Sequence, residues 1–226
     1  MDPDKITEVV AIDGPAGAGK STVARRLAKL LGFAFLDTGA MYRAATWRAL
    51  ERGVDLDDHA ALARSTEEMD LRIDESDGKQ TVIVDGRDVT EAIRSPEVTK
   101  EIYRLDAIRE VRAHLVELQR RVASLRPTVA EGRDMGTVVF PRAKCKFYLD
   151  ASLDERARRR FEELRGKGIE VDFQALRDEI ESRDLKTMTR AISPLRPADD
   201  AVRIDTTHLT LEQVVDHMAA RARPVF

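Results

Sequence analysis

Three observations predict an α/β fold, a doubly wound five-stranded parallel sheet with a phosphate loop. About five short apolar β-type runs alternate with helical stretches along 226 residues, the pattern of a parallel sheet covered on both faces. The first run enters a glycine-rich loop that opens directly into an amphipathic helix. Between about Met69 and Val89 the alternation breaks into short strands and tight turns, the texture of a small antiparallel β insert.

Taken in order, Glu8 to Asp13 is a near-continuous apolar run suited to a central strand buried on both sides. Gly14 to Ser21, Gly-Pro-Ala-Gly-Ala-Gly-Lys-Ser, fits the pattern G-x-x-x-x-G-K-[ST]. Val23, Leu27, Leu30 and Leu31 then recur at helical spacing until Gly32 offers a C-terminal cap. Phe33 to Asp37 is a second strand, and Thr38-Gly39 turns into a helix from about Ala40 to Arg52 that Gly53 closes. In the insert, Leu71 and Ile73 alternate with polar residues, Ser76-Asp77-Gly78 is a turn, Thr81 to Val84 a strand, and Asp85-Gly86 another turn. Ser95 as N-cap and Pro96 in first position start a new helix. Ile108, Val111, Leu115, Leu118, Val122 and Leu125 form one stripe on a long helix ended by Arg126-Pro127. Thr128 to Glu131 is a strand running into Gly132-Arg133-Asp134, and Lys144 to Asp150 alternates Cys145, Phe147 and Leu149 against polar neighbours as another. Ser152-x-x-Glu155 opens an arginine-rich helix; after the strand Ala201 to Asp205, Thr210-x-x-Gln213 opens the last one.

The glycine-rich loop carries chemistry. Its backbone N–H groups turn inward as an anion nest, and the N-terminus of the following helix adds partial positive charge. Lys20 supplies a cation for the β and γ phosphates, and the Ser21 hydroxyl a ligand for Mg²⁺. Gly14, Pro15, Ala16, Gly17, Ala18, Gly19, Lys20, Ser21 and Thr22 are therefore expected to hold a nucleoside triphosphate. A turn that merely contains glycines and a lysine would not need a strand before it and a helix after it.

Composition narrows the partners. The 38 basic and 41 acidic residues leave a formal net charge of -3, which argues against a nucleic-acid polymer. Cys145 is alone, so no disulfide framework or cysteine metal site is available, and His59, His114, His208 and His217 show no ligand spacing. The opening Met-Asp-Pro-Asp-Lys lacks the cationic and apolar stretches of a signal peptide, and no apolar run approaches membrane-spanning length. A cytoplasmic monomer without a membrane partner is expected.

A phosphate loop serves kinases, GTPases and ATPases alike, and the guanine-reading Asn-Lys-x-Asp is missing. The arginines point instead to a second anionic substrate. Arg43 lies five residues beyond Thr38, and Arg133 and Asp134 stand at the C-terminal end of a strand, where open α/β sheets bind ligands. Arg183 and Arg190 flank a polar segment before Pro194 that reads as a mobile lid. Guanidinium groups engage phosphate oxygens bidentately and stay charged. Taken singly, each also reads as a solvated surface charge, and the helix bearing Arg156 to Arg160 would normally leave one face in water.

Four stretches carry a resemblance: Ile12-Asp13-Gly14-Pro15, Leu36-Asp37-Thr38-Gly39-Ala40-Met41-Tyr42-Arg43, Glu131 to Pro141, and Pro194 to Ala201. From about Ile6 to Val215 the chain resembles the bacterial cytidylate kinase family, most specifically in the string Gly-Arg-Asp-Met-Gly-Thr-Val-Val-Phe-Pro. The resemblance implies transfer of the ATP γ-phosphoryl group to CMP or dCMP, with a Mg²⁺ requirement. It implies a kinase core over 1–65 and 105–226, a short helical lid at about 160–192, and an inserted nucleoside-monophosphate-binding subdomain over 66–104. Beside the loop, Arg156 and Arg160 are the further expected ATP contacts. Acceptor-phosphate contacts fall on Thr38, Arg43, Arg133 and Arg190, base contacts on Arg112 and Asp134, and Arg183 lies near the ribose. Lys20, Arg133, Arg183 and Arg190, with Mg²⁺ at Ser21, are expected to neutralise the transferred group. Two acceptor positions depart: Tyr103 stands where the family commonly has a base-contacting Ser, and Thr187 where it has a ribose-contacting Asp. Both bear on substrate discrimination, not on transfer. The competing readings are another phosphate-loop kinase, acting on a different monophosphate or a sugar acid, and a non-catalytic nucleotide-dependent switch.

Overall fold

A computed structural model describes residues 6, 8–76, 79–166 and 168–226. Strands β1 (Val9–Asp13), β2 (Ala34–Asp37), β6 (Thr128–Gly132), β7 (Cys145–Asp150) and β8 (Val202–Asp205) form one parallel sheet in the order β2-β6-β1-β7-β8. β1 is central, with Val9 beside Thr128 on one side and Val10 beside Cys145 on the other. Because strand side chains alternate in direction, the same strands feed two cores. Val9, Ala11, Leu36 and Ala130 pack under α2 (Thr38–Glu51), α3 (His59–Glu67) and α5 (Arg109–Ala123). Val10, Ile12, Phe35, Val129, Phe147 and Leu149 pack under α1 (Lys20–Leu31) and α8 (Leu211–Ala222). Parallel pairing puts the ends of all five strands on one edge, where open sheets of this kind bind ligands.

The insert is a three-stranded antiparallel sheet, β3 (Leu71–Ser76), β4 (Lys79–Val84) and β5 (Arg87–Asp88). Val82 and Val84 join the core beneath α2, and the Gln80 Oε1 accepts from the Asp37 N–H (2.9 Å), so the insert is tied to the end of β2. Asp77 and Gly78 of the first expected turn lie outside the described residues. The second turn forms as expected, with Asp85 at φ 49 and Gly86 at φ 79. Ser95 caps α4 (Pro96–Asp106) through the Val98 N–H (3.3 Å), and Thr210 and Gln213 close their capping box on α8.

Three features differ from the expectation. The stripe on α5 does not reach Leu125, which lies past the helix end and is 80% exposed. The helix α3 buries only Leu62 and Ala63 among its apolar residues, too few to show a period in the sequence. The stretch expected as a short helical lid, about 160–192, takes in the end of one helix, α6 (Leu153–Gly166), and the whole of a second, α7 (Phe173–Thr189). The pair packs through a small core of its own, Ala157, Leu176 and Ile180. With so little apolar surface shared with the sheet, the attachment of α7 depends on polar contacts.

Candidate active site

The donor loop begins at Gly14, where a Cβ would run into the Leu149 carbonyl oxygen of β7. Gly17 is left-handed at φ 78, and a Cβ there would lie 3.0 Å from Arg156, so helix and loop pack without a side chain between them. Gly19 caps α1, which starts at Lys20. The Lys20 amine donates to the Pro15 carbonyl (2.7 Å) across the loop. Burial, and then the charge of Arg133, bring it down to about 7. Ser21 donates to the Glu131 carboxylate at the end of β6, which burial and then Asp37 hold above its ordinary range. Thr22 is exposed beside it.

Of the two arginines expected near ATP, Arg156 is buried and donates to the Ala16 carbonyl (3.0 Å) and to the Asp184 carboxylate. Arg160 pairs with Glu163 on its own helix (2.7 Å). Arg159, which the sequence did not single out, has a guanidinium nitrogen 3.8 Å from where a Gly19 Cβ would stand and donates to Thr206 Oγ1 (3.0 Å). Helical spacing places 156, 159 and 160 close together; Arg156 packs tightly on Gly17, and Arg159 lies at ordinary contact distance from Gly19.

The residues expected at the acceptor are drawn from separate elements. Asp37 caps α2 by accepting from the Ala40 N–H (2.9 Å), and it also accepts from Arg43 (2.8 Å). Burial pushes its carboxyl up, but Arg43 and Arg94 more than offset this and leave it below the ordinary range. Thr38 donates to the Glu131 carbonyl (2.7 Å), fastening α2 to β6. Arg112 of α5 pairs with Asp134, both buried, and its guanidinium lies 5.6 Å from the centre of the Tyr42 ring. Arg190, just past α7, is 3.2 Å from the Asp106 carboxylate and 4.0 Å from Asp134. The Asp106 main-chain carbonyl accepts from Arg112 and from Arg190, each at 3.4 Å.

Arg183 is brought down to about 10 by burial and then by Arg133 and Arg43. Arg43, Arg133 and Arg183 thus crowd positive charge into one place, beside the donor loop. Among the described residues, Tyr42 Oη, Arg43 Nε and Arg190 Nη2 are buried without a hydrogen-bond partner. Each orphaned group costs about 1–3 kcal/mol unless something binds it.

Thr38, Arg43, Arg112, Arg133, Asp134, Arg183 and Arg190 are therefore brought together. Tyr103 on α4 is 36% exposed, with the Lys186 amine 4.0 Å from its ring centre. Thr187 is buried and its hydroxyl donates to the Arg183 carbonyl one turn back (2.8 Å).

Several charged groups of the site went unread in the sequence. Asp13 accepts from the Met135 and Gly136 N–H groups (2.7 and 2.8 Å), pinning that string against β1, and burial pushes its carboxyl up to about 7. Arg120 holds the same string from α5 by donating to the Val138 and Val139 carbonyls (2.8 and 2.9 Å). Asp106 ends α4, where its charge opposes the helix dipole, an available signal that the residue has another partner. Asp37, three residues before a helical N–H it accepts, had the spacing of a cap.

A phosphate loop at the C-terminal edge of a parallel sheet, beside a cluster of arginines and carboxylates, defines a nucleotide-dependent phosphotransferase. The cytidylate kinase family model matches residues 10–224. The chain is 51% identical over 206 residues to the cytidylate kinase of Carboxydothermus hydrogenoformans, covering 91% of this chain and 93% of that one. It is 51% identical over 214 residues to that of Pelotomaculum thermopropionicum, covering 94% of each. Among solved structures it is similar to an uncharacterized protein from Eubacterium ventriosum, with a TM-score of 0.50 at 11% identity over 96% of this chain and 98% of that one, a likeness of fold alone. The chain belongs to the cytidylate kinase family.

Proposed function

We propose that this chain transfers the γ-phosphoryl group of ATP to CMP or dCMP, giving ADP and CDP or dCDP. The observation that carries the reading is Arg133, whose charge bears both on Lys20 in the donor loop and on Arg183 in the acceptor cluster. A dianionic phosphoryl group between them relieves repulsion that the protein otherwise bears, and it does so most when charge is spread over the transferred oxygens. Lys20 holds the donor phosphates. Arg43 and Arg133, with Thr38 and Arg190 beside them, hold the acceptor phosphate.

The base is read by the Arg112–Asp134 pair. A carboxylate only accepts and a guanidinium only donates. Cytosine offers an amine to the first and a carbonyl oxygen to the second, whereas uracil sets a carbonyl against the carboxylate. The oxygens of Ser21 and Glu131, which meet at the loop, suit Mg²⁺, a hard ion held by one or two protein oxygens plus the substrate's phosphates. A bound Mg²⁺ would supply positive charge that offsets the negative charge of the donor phosphates.

Among the described residues no helix is long and apolar enough to cross a membrane. The near-balanced charge, 38 basic against 41 acidic residues, supports the absence of a nucleic-acid partner, and a cytoplasmic monomer is part of the same reading. The lid of α6 and α7 excludes water from the transfer. ADP formation measured with CMP, dCMP, UMP and no acceptor tests the reading: rapid ADP release with CMP or dCMP alone is expected. Equal ADP release with no acceptor would contradict it.

A further inference from the structure

Asp184 follows Arg183 on α7, yet its carboxylate faces the donor loop. One oxygen accepts from the Ala16 N–H (3.1 Å) and the other from Arg156. The same Arg156 nitrogen donates to the Ala16 carbonyl (3.0 Å), and its Nε to the Ala151 carbonyl (3.0 Å) at the end of β7. Ala16 is thus gripped at its N–H by α7 and at its carbonyl by α6. Asp184 is 6% and Arg156 8% exposed, so both charges depend on this pairing for their solvation.

The geometry points to Asp184 as a positioning residue that couples the two substrate sites. On successive residues α7 carries Arg183 for the acceptor cluster and Asp184 for the donor loop, with Arg190 just beyond its end. The small separate core of the helix pair leaves this polar joint as a main fastening of α7 to the loop. An acceptor that draws in Arg183 and Arg190 therefore shifts the backbone at Ala16, and a triphosphate that orders the loop fixes α7 in return. Such coupling is reciprocal by thermodynamic necessity. The inference rests on the acceptor assignment above.

The test is a titration of CMP, or of whichever monophosphate the turnover panel selects, with and without saturating β,γ-imido ATP. This choice of ligand keeps a failed acceptor assignment separate from a failed coupling. In the wild type the analogue is expected to change the monophosphate Kd by about fivefold or more. Asp184→Asn removes the charge and sets an amide N–H₂ or a second oxygen against Arg156; the ratio of the two Kd values should fall to within about twofold of one. A purely structural Asp184 would lower thermal stability and both affinities but leave the ratio intact, and that result, or a wild-type ratio near one, overturns the inference. If Asp184→Asn does not fold, Arg156→Lys takes its place, because it keeps the charge and loses the second donor. The same collapse is expected there, and an unchanged ratio overturns the inference.

Discussion

The phosphate loop and the arginine cluster, the proposed donor and acceptor sites, both feel the charge of Arg133 and are built by different means. The loop is contiguous, Gly14 to Thr22, and its polar groups are engaged within the protein: Lys20 with Pro15, Ser21 with Glu131, Ala16 with Asp184 and Arg156. The pocket draws on α2, α4, α5, the end of β6 and α7, and it holds three buried polar atoms without partners. One site is preorganised by internal bonds. The other, though braced by the Arg43–Asp37, Arg112–Asp134 and Arg190–Asp106 pairs, also keeps unpaired buried groups that the proposed anionic acceptor would engage.

The contrast can be broken first at Lys20. Its replacement by Ala should lower kcat by about 10²–10³ or more, as loss of a single transition-state donor does. Thermal unfolding should stay close to the wild type, since loss of the hydrogen bond to the Pro15 carbonyl is offset by relief of the cost of burying the Lys20 charge. A mutant that keeps most of its kcat would remove the loop from the chemistry.

The next effect sharpens the division between the sites. Arg43→Ala and Arg133→Ala should each reduce kcat/KM for CMP at least about tenfold, from loss of a charge-assisted bond worth about 1.5–3 kcal/mol. Arg43, held by Asp37 on the acceptor side, should leave KM for ATP unchanged, whereas Arg133, which bears on Lys20, should shift it. Identical ATP behaviour in the two variants would erase Arg133's place at the junction.

The smallest effect concerns pH. Burial raises Asp13 from 3.8 to about 7, so the folded protein holds a proton there that the unfolded chain releases. Its contribution to stability is full below the unfolded value and is lost as pH rises through about 7. Asp13→Asn imitates the protonated form at every pH. The stability advantage of wild type over Asp13→Asn should therefore narrow between about pH 4 and 7, by at least about 1.4 kcal/mol, the value of one pKa unit. Parallel denaturation profiles would show that Asp13 ionises normally.

These two regions also mark what the sequence made legible. The loop, its strand and its helix are local, and spacing alone located them, as it located the caps at Ser95 and Thr210. The acceptor arginines were singled out by their places after Thr38, at a strand end and before Pro194, and resemblance gave them roles; Arg43 and Arg133 lie near enough to Arg183 for their charges to bear on it. Their carboxylate partners were harder, because Asp106 meets Arg190 across a separation of 84 residues and Asp184 meets Ala16 across 168, distances at which no periodicity speaks. Tyr103, expected at the base, has the Lys186 amine 4.0 Å from its ring centre, a contact between α4 and α7 that their separation in sequence hides. Thr187 meets the other common fate of a helical hydroxyl, a bond to the carbonyl one turn back.

The claim on which the rest depends is that a buried carboxylate held by Arg112 selects the amine-bearing pyrimidine. The direct measurement is kcat/KM for CMP and for UMP in the wild type and in Asp134→Asn, whose amide can turn either a donor or an acceptor to the base. The wild type should favour CMP, and the CMP-to-UMP ratio should fall by about tenfold or more in the variant, the worth of a hydrogen bond to a charged group. A ratio unchanged by Asp134→Asn, with folding intact, would contradict the account.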